Sequence, residues 1–114
     1  MNRHLLSIIA SLVVLLLVST VSAHPPSDLN LVYNQTSGNL TATFTHQVPD
    51  PTTHYLKNVK ISLDGNETVN LEYTSQPTAD IFEYTYQLNA TPKTVIDVIG
   101  QCNIVGSIER SLTV

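Results

Sequence analysis

Apolar and polar residues alternate with a period of two along most of this chain, and this alternation limits the folds open to it. Successive side chains of a β-strand point to opposite faces, so a half-buried strand needs this pattern, whereas a helix needs a period of about 3.6 residues. No helical periodicity is found after residue 23. The alternating runs that predict strands lie at residues 29–33, 40–44, 59–63, 69–73 and 82–88, followed by 95–102 and 107–114.

Turn-forming residues separate these runs. Ser37-Gly38, Asp64-Gly65-Asn66 and Gly106 fall between runs, as do the segments 75–78 and 90–93, each of which contains a proline. Short strands separated by such turns, with no helix between them, are typical of a sandwich of two antiparallel sheets. The sequence therefore predicts an all-β, seven-stranded antiparallel sandwich of the immunoglobulin-like kind.

The first 23 residues have the composition of a secretory signal peptide. Arg3 supplies the positive charge, residues 5–18 are almost all apolar, and Val21-Ser22-Ala23 offers small residues for cleavage. We interpret 1–23 as the signal peptide and 24–114 as one exported domain, secreted or on the cell surface. The alternative is an uncleaved anchor, in which case the protein would be attached to the membrane.

Asn-x-Thr sequences support export. Four such acceptor sequences for N-glycosylation occur, at Asn34, Asn39, Asn66 and Asn89, each in or beside a predicted turn. The alternative is that these are simply polar turn residues of a threonine-rich β protein.

The charge of the domain argues against some partners. Residues 24–114 carry four basic and nine acidic side chains, a formal charge of −5. Such a surface repels nucleic acid, and no basic or aromatic stripe offsets this repulsion. We therefore expect no nucleic-acid partner, while a homo-oligomer remains open.

Histidine and cysteine are predicted to meet at one end of the sandwich. If consecutive strands run in opposite directions, His24, the loop 46–54, the loop 75–78 and Cys102 share one rim. This rim would hold every histidine after residue 23 and the only cysteine of the chain. Imidazoles and a thiolate on loops of a rigid sandwich are typical of a metal site. Taken singly, each would be read as a solvated histidine or a small buried cysteine.

The single cysteine favours a metal ligand. Exported proteins usually pair their cysteines or lack them, because a free thiol is oxidised outside the cell. A thiolate bound to a cation is no longer a free thiol, so Cys102 is predicted to be a ligand. Pro49 and Pro51 stiffen the loop between His46 and His54, so the two imidazoles lose less entropy on binding.

Three segments carry a resemblance to a known family. The first is THQVPDPTTHYLKNVKISLDG, the second is QCNIVGS and the third is the early AHPP. In that order, they resemble the two-histidine loop, the Cys-Asn element and the first histidine segment of superoxide reductase, which is the iron domain of desulfoferrodoxin or neelaredoxin. The resemblance extends over essentially all of residues 24–114. It implies the same seven-stranded immunoglobulin-like fold that the alternation predicts independently.

The resemblance implies an activity and a ligand set. Members of this family hold one iron ion (Fe²⁺/Fe³⁺) with four equatorial imidazoles and an axial thiolate, and they reduce superoxide to hydrogen peroxide with electrons from a donor. By position, His24, His46 and His54 would be equatorial ligands and Cys102 the axial, catalytic one. Asp50 would be the carboxylate that visits the open position. The electron donor is unidentified.

Two positions depart from the family pattern. Val105 stands where the fourth histidine is expected, and Ala23 replaces the lysine that precedes the first histidine. Cleavage before His24 would create an α-amine able to chelate the metal together with the His24 imidazole, restoring four nitrogens. The same chelate suits Cu(II), so copper is the alternative metal.

Three functions remain open from the sequence. The first is superoxide reduction at an iron centre, which would make the protein an oxidoreductase. The second is an exported iron or copper carrier or sensor without turnover. The third is a structural or adhesive surface domain whose histidines no longer bind metal.

Overall fold

The alternating runs form seven β-strands in the computed structural model, which describes residues 24–114. These residues contain no helix, and hence none long and apolar enough to cross a membrane. The predicted signal peptide at 1–23 lies outside the described residues. The strands are β1 (Asp28–Asn34), β2 (Asn39–Thr45), β3 (Leu56–Leu63), β4 (Asn66–Glu72), β5 (Ile81–Gln87), β6 (Val95–Cys102) and β7 (Ser107–Thr113).

The strands make two antiparallel sheets. One has the order β1-β2-β5 and the other the order β4-β3-β6-β7. In the constant-type immunoglobulin arrangement the fourth strand joins the sheet of the first, second and fifth strands. Here β4 pairs with β3 instead and forms the edge of the four-stranded sheet. The all-β, seven-stranded immunoglobulin-like sandwich predicted from the sequence is confirmed.

The inward faces of the sheets build one core. Along β2 the alternate residues Leu40, Ala42 and Phe44 are fully buried, while the threonines between them are partly exposed. Phe44 stacks on Phe82 with ring centroids 5.8 Å apart. A Cβ on Gly100 would lie 2.5 Å from the Phe44 ring, which explains a glycine inside β6. The period of two in the sequence is therefore the period of burial.

Strand pairing defines two ends of the sandwich. The first residue of β1, Asp28, is opposite Thr45, the last of β2, and the first residue of β3, Leu56, is opposite Cys102. We call this end the rim. It comprises residues 24–27, 46–55, 73–80 and 102–106. The opposite end, where β1 turns into β2 and β3 into β4, is called the distal pole. The sequence predicted that His24, both ends of the loop 46–54 and Cys102 meet at one rim. The strand arrangement confirms this prediction.

Candidate metal centre

Two histidines and the cysteine form a buried cluster at the rim. One ligand atom from each of His46, His54 and Cys102 lies within 4.8 Å of the others. The side chains are almost inaccessible, with exposed fractions of 0%, 5% and 3%. With bonds of about 2.1 Å to nitrogen and about 2.3 Å to sulfur, a nitrogen and a sulfur on one ion can be at most about 4.4 Å apart and two nitrogens about 4.2 Å, so small adjustments would place all three on one ion.

The alternation of side chains that places the core residues on the inward faces of the strands also places these three side chains there. His46 continues the buried series of Ala42 and Phe44 one step past the end of β2. Cys102 ends the buried series of β6, two residues after Gly100. His54 precedes the buried Leu56 by two residues and points inward in the same way. The cluster of His46, His54 and Cys102 is thus the continuation of the apolar core, with side chains that could bind a metal in place of apolar ones.

The distance between one pair of donor atoms fits adjacent ligands of an ion. His54 Nε2 lies 3.2 Å from Cys102 Sγ. Bonds of about 2.1 and 2.3 Å at a right angle place nitrogen and sulfur about 3.1 Å apart. The backbone N–H of Ile104 points at the same sulfur, with a nitrogen-to-sulfur distance of 3.4 Å. Such a donor would also be able to hydrogen-bond a metal-bound sulfur and hold it in place.

Gln76 holds His46 in position. Its Oε1 accepts hydrogen bonds from His46 Nδ1 at 2.8 Å and from the Leu56 backbone N–H at 3.1 Å. Its Nε2 donates to the carbonyls of His46 and Thr78, both at 2.9 Å. These partners fix the orientation of the carboxamide, so Nδ1 of His46 carries the proton. Ligating histidines usually have such a partner on the second ring nitrogen.

This hydrogen bond leaves Nε2 as the ligand atom of His46. A neutral imidazole protonated at Nδ1 has a lone pair on Nε2. That atom faces the backbone carbonyl oxygen of His24 at 3.2 Å, and a carbonyl cannot donate a hydrogen bond. The carbonyl therefore offers no donor to this lone pair, which leaves Nε2 able to bind a metal ion.

His54 is adapted to the neutral state in which imidazole binds metals. Burial, assisted by the nearby imidazoles of His46 and His24, lowers the pKa of His54, although a hydrogen bond with the backbone of His24 opposes the shift. Ligands must lose their protons before a metal binds. A lowered pKa therefore reduces the competition from protons at this ligand.

Asn103, the asparagine of the Cys-Asn element, connects the segment after Cys102 to the segment that carries His54. Its Oδ1 accepts from the Tyr55 N–H at 2.9 Å and its Nδ2 donates to the Thr53 carbonyl at 3.0 Å. Its backbone N–H donates to the Tyr55 carbonyl at 3.0 Å. These three bonds clamp the segment after Cys102 to the residues on both sides of His54. Asn103 thereby fixes the distance between the two ligands.

The other predicted site residues lie around this cluster. His24 is exposed, with its ring centroid 6.1 Å from those of both His46 and His54. The exposed Asp50 carboxylate accepts hydrogen bonds from the backbone and hydroxyl of Thr52, and these bonds lower the pKa of Asp50. In this conformation Asp50 stabilises its own turn. Val105, at the position of the expected fourth histidine, is 45% exposed in the turn after Cys102.

Reasoning from sequence assigned no role to two residues of the site. Gln76 was missed, although its loop was predicted to reach the rim, and Asn103 appeared only as part of the Cys-Asn element of the resemblance. A polar residue in a loop is normally solvent-exposed, and the sequence pattern does not reveal that Gln76 is buried.

Gly106 determines how closely the N-terminal segment approaches the cluster. It has a φ of +76°, and a Cβ there would lie 2.6 Å from Cβ of Pro25, next to His24. We expect Gly106→Ala to lower the free energy of unfolding by about 1 kcal/mol from backbone strain and by about 1 kcal/mol more from the displaced Pro25. Denaturant unfolding measures this change.

Gly65→Ala is the matched control for that substitution. Gly65 has a similar φ of +83°, but nothing lies within 4 Å of the position that its Cβ would take. It should therefore show the backbone strain alone. Equal losses in the two variants would mean that the contact between Gly106 and Pro25 does not hold the N-terminal segment.

Comparison with known proteins gives no relative for this chain. Neither the family models, nor the curated proteins, nor the solved structures contain a match. The metal centre is therefore supported by its own geometry and donor atoms.

Proposed function

We propose that this protein is an exported mononuclear iron protein that reduces superoxide to hydrogen peroxide, in the manner of superoxide reductase. The observation that carries the proposal is the buried cluster of His46, His54 and Cys102, in which Gln76 orients one imidazole. Two buried imidazoles and a buried cysteine within 4.8 Å of one another are poorly explained by stability alone, because apolar residues would fill the same space without needing partners.

The donor set suits the redox metals iron and copper, as well as zinc. Imidazole suits zinc, copper and iron, and thiolate binds the softer of these ions well. A bound ferrous ion would supply the one electron that, together with two protons, converts superoxide to hydrogen peroxide. The Cys102 thiolate would stabilise the oxidised ion by its charge, and the proposed external electron donor would restore the reduced state.

Three buried ligands leave room for a small anion. His46, His54 and Cys102 offer one donor atom each, fewer than the five ligands that the resemblance implies. His24, whose exposed ring lies 6.1 Å from the rings of His46 and His54, would add a further nitrogen if it turned toward the ion. The remaining positions would be accessible to superoxide from the side of His24.

Metal content and the visible spectrum test this proposal. Protein that begins at His24 and is purified without tags should bind one iron per chain. It should show a thiolate-to-ferric absorption band when oxidised, and addition of superoxide to the reduced form should restore that band. Protein that stays colourless and metal-free with ferrous iron would exclude the proposal.

The alternative is an exported copper carrier or sensor, and one observation favours it. The backbone of His24 reaches the cluster, with its carbonyl 3.2 Å from His46 Nε2. The α-amine created by cleavage before His24 would lie on the same residue, and an amine with two imidazoles suits Cu(II). One residue added before His24 should then weaken Cu(II) binding sharply. If the buried cluster alone holds iron, the added residue should change iron content little.

A carrier also agrees with the charge of the domain. Nine acidic and four basic side chains repel an anion at long range. Stoichiometric metal without any reaction with superoxide would favour the carrier or sensor over the reductase.

A further inference from the structure

All four Asn-x-Thr sequences lie at the distal pole, opposite the metal cluster. Asn34 ends β1 and Asn39 begins β2, and the two are paired in the sheet. Asn39 is also paired with Gln87, which precedes Asn89 by two residues. Three of the four acceptor sequences thus lie side by side at one end of the three-stranded sheet.

The fourth lies at the same end of the other sheet. Asn66 begins β4 and is paired with Leu63, which is also paired with Ile96 near the start of β6. The turn before Asn66 is tied to this strand by the bond from the Asp64 N–H to the Val95 carbonyl, at 2.9 Å. The connection that carries Asn89 leads directly into the same strand. Both sheets therefore present their acceptor sequences at one pole.

The remaining asparagines of residues 24–114 provide an internal comparison. Asn30, Asn58 and Asn70 lie within strands, Asn103 lies at the rim, and none of them has Ser or Thr two positions later. The carboxamides of Asn58 and Asn103 donate to Asn70 and Thr53, respectively. In the part of the chain that the structure describes, no such bond engages Nδ2 of an asparagine in the four acceptor sequences.

Exposure distinguishes among the four acceptors. Asn34, Asn66 and Asn89 are exposed, as are the threonines Thr36, Thr68 and Thr91 that follow them. Asn39 is only partly exposed, because it belongs to the central strand of its sheet. A glycan needs an acceptor whose attached sugar can project into solvent. The first three satisfy this requirement best.

We propose that the distal pole is a glycosylated surface, with N-linked glycans on Asn34, Asn66 and Asn89. The donor is a lipid-linked oligosaccharide phosphate. The Asn Nδ2 forms a bond to the anomeric carbon of the sugar, the bond from that carbon to the lipid phosphate breaks, and Nδ2 gives up one proton. Occupancy of the three asparagines depends on export of the chain, and only the separation of the glycans from the rim site rests on the proposed metal binding.

The placement separates sugar from the metal cluster. Strands of seven residues span about 20 Å, so a glycan at the pole begins a strand length away from His46, His54 and Cys102. It would cover the pole while leaving the rim open to small molecules and protein partners. Glycans at the pole should therefore leave metal binding at the rim unaffected.

Mass spectrometry of the full chain, secreted from a cell that performs N-glycosylation, tests the proposal. Enzymatic release of the glycans converts each occupied Asn to Asp and so marks it. We expect marks at Asn34, Asn66 and Asn89, each lost in the variant Thr36→Ala, Thr68→Ala or Thr91→Ala, which keeps the asparagine. Unmodified asparagines at all three positions, while a co-secreted reporter is glycosylated, would overturn the proposal.

A control variant at the rim tests whether only a glycan near the cluster disturbs metal binding. Val105→Thr creates Asn-x-Thr at Asn103, whose carboxamide clamps the segments that carry His54 and Cys102. The chains of this variant that carry a glycan at Asn103 should hold less metal than its unmodified chains. Release of the natural glycans should leave metal content unchanged. Loss of metal after that release would show that the glycans at the distal pole are not separate from the metal site at the rim.

Discussion

Replacement of Cys102 by serine should weaken iron binding at least about 100-fold and abolish the thiolate-to-ferric absorption band. Cys102 supplies the only sulfur atom of the cluster, and its Sγ lies 3.2 Å from His54 Nε2. A serine hydroxyl is neutral at about pH 7 and is a poor ligand for a soft site. Metal titration and visible spectroscopy of the oxidised protein measure the two effects.

Val105→Ala is the matched control for the serine variant. Val105 lies three residues after Cys102 in the same turn, with a side chain that is 45% exposed and far from full burial. This variant should retain both the metal and the absorption band. A serine variant that kept the band would show that Cys102 is not the ligand, and loss of the band in both variants would point to damage of the turn.

Replacement of Gln76 by leucine should have the second large effect, on stability and on metal affinity together. The change removes four hydrogen bonds and leaves the Leu56 N–H and the carbonyl of His46 without their partner. We expect a loss of about 3 kcal/mol in the free energy of unfolding of the metal-free protein. Metal affinity should fall by about 10- to 100-fold, because His46 loses the acceptor for its Nδ1 proton.

Two further variants separate these effects. Gln35→Leu makes the same change on the exposed turn between β1 and β2, so it should alter stability by less than about 0.5 kcal/mol. Gln76→Glu keeps an acceptor for His46 Nδ1 but adds a negative charge, so it should shift the absorption band or reduction potential of bound iron. A band and affinity that match the natural protein in both Gln76 variants would refute a role for Gln76 at the metal centre.

Much of the fold could be predicted because its determinants are local. The alternation of apolar and polar residues records which face of each strand is buried, and the turn residues record where strands end. In β6 the predicted run and the observed strand coincide at residues 95–102. Antiparallel order then brought His46, His54 and Cys102 to one end, because each reversal of the chain determines which strand ends are neighbours.

The resemblance to superoxide reductase contributed a different kind of expectation. It assigns iron, a reaction and roles for Asp50 and His24, none of which follows from alternation or turns. These assignments remain predictions that depend on the metal and redox measurements described above.

The sequence by itself determined the strands, the shared rim and the types of side chain that meet there. Only the tertiary structure decided that His46, His54 and Cys102 are buried within 4.8 Å of one another, with His24 outside them at the opening. It also selected Gln76 and Asn103 as the residues that hold the ligands. The reason is physical: strand periodicity is encoded by neighbours along the chain, whereas burial and hydrogen bonding of a loop side chain depend on segments 30 or 50 residues away.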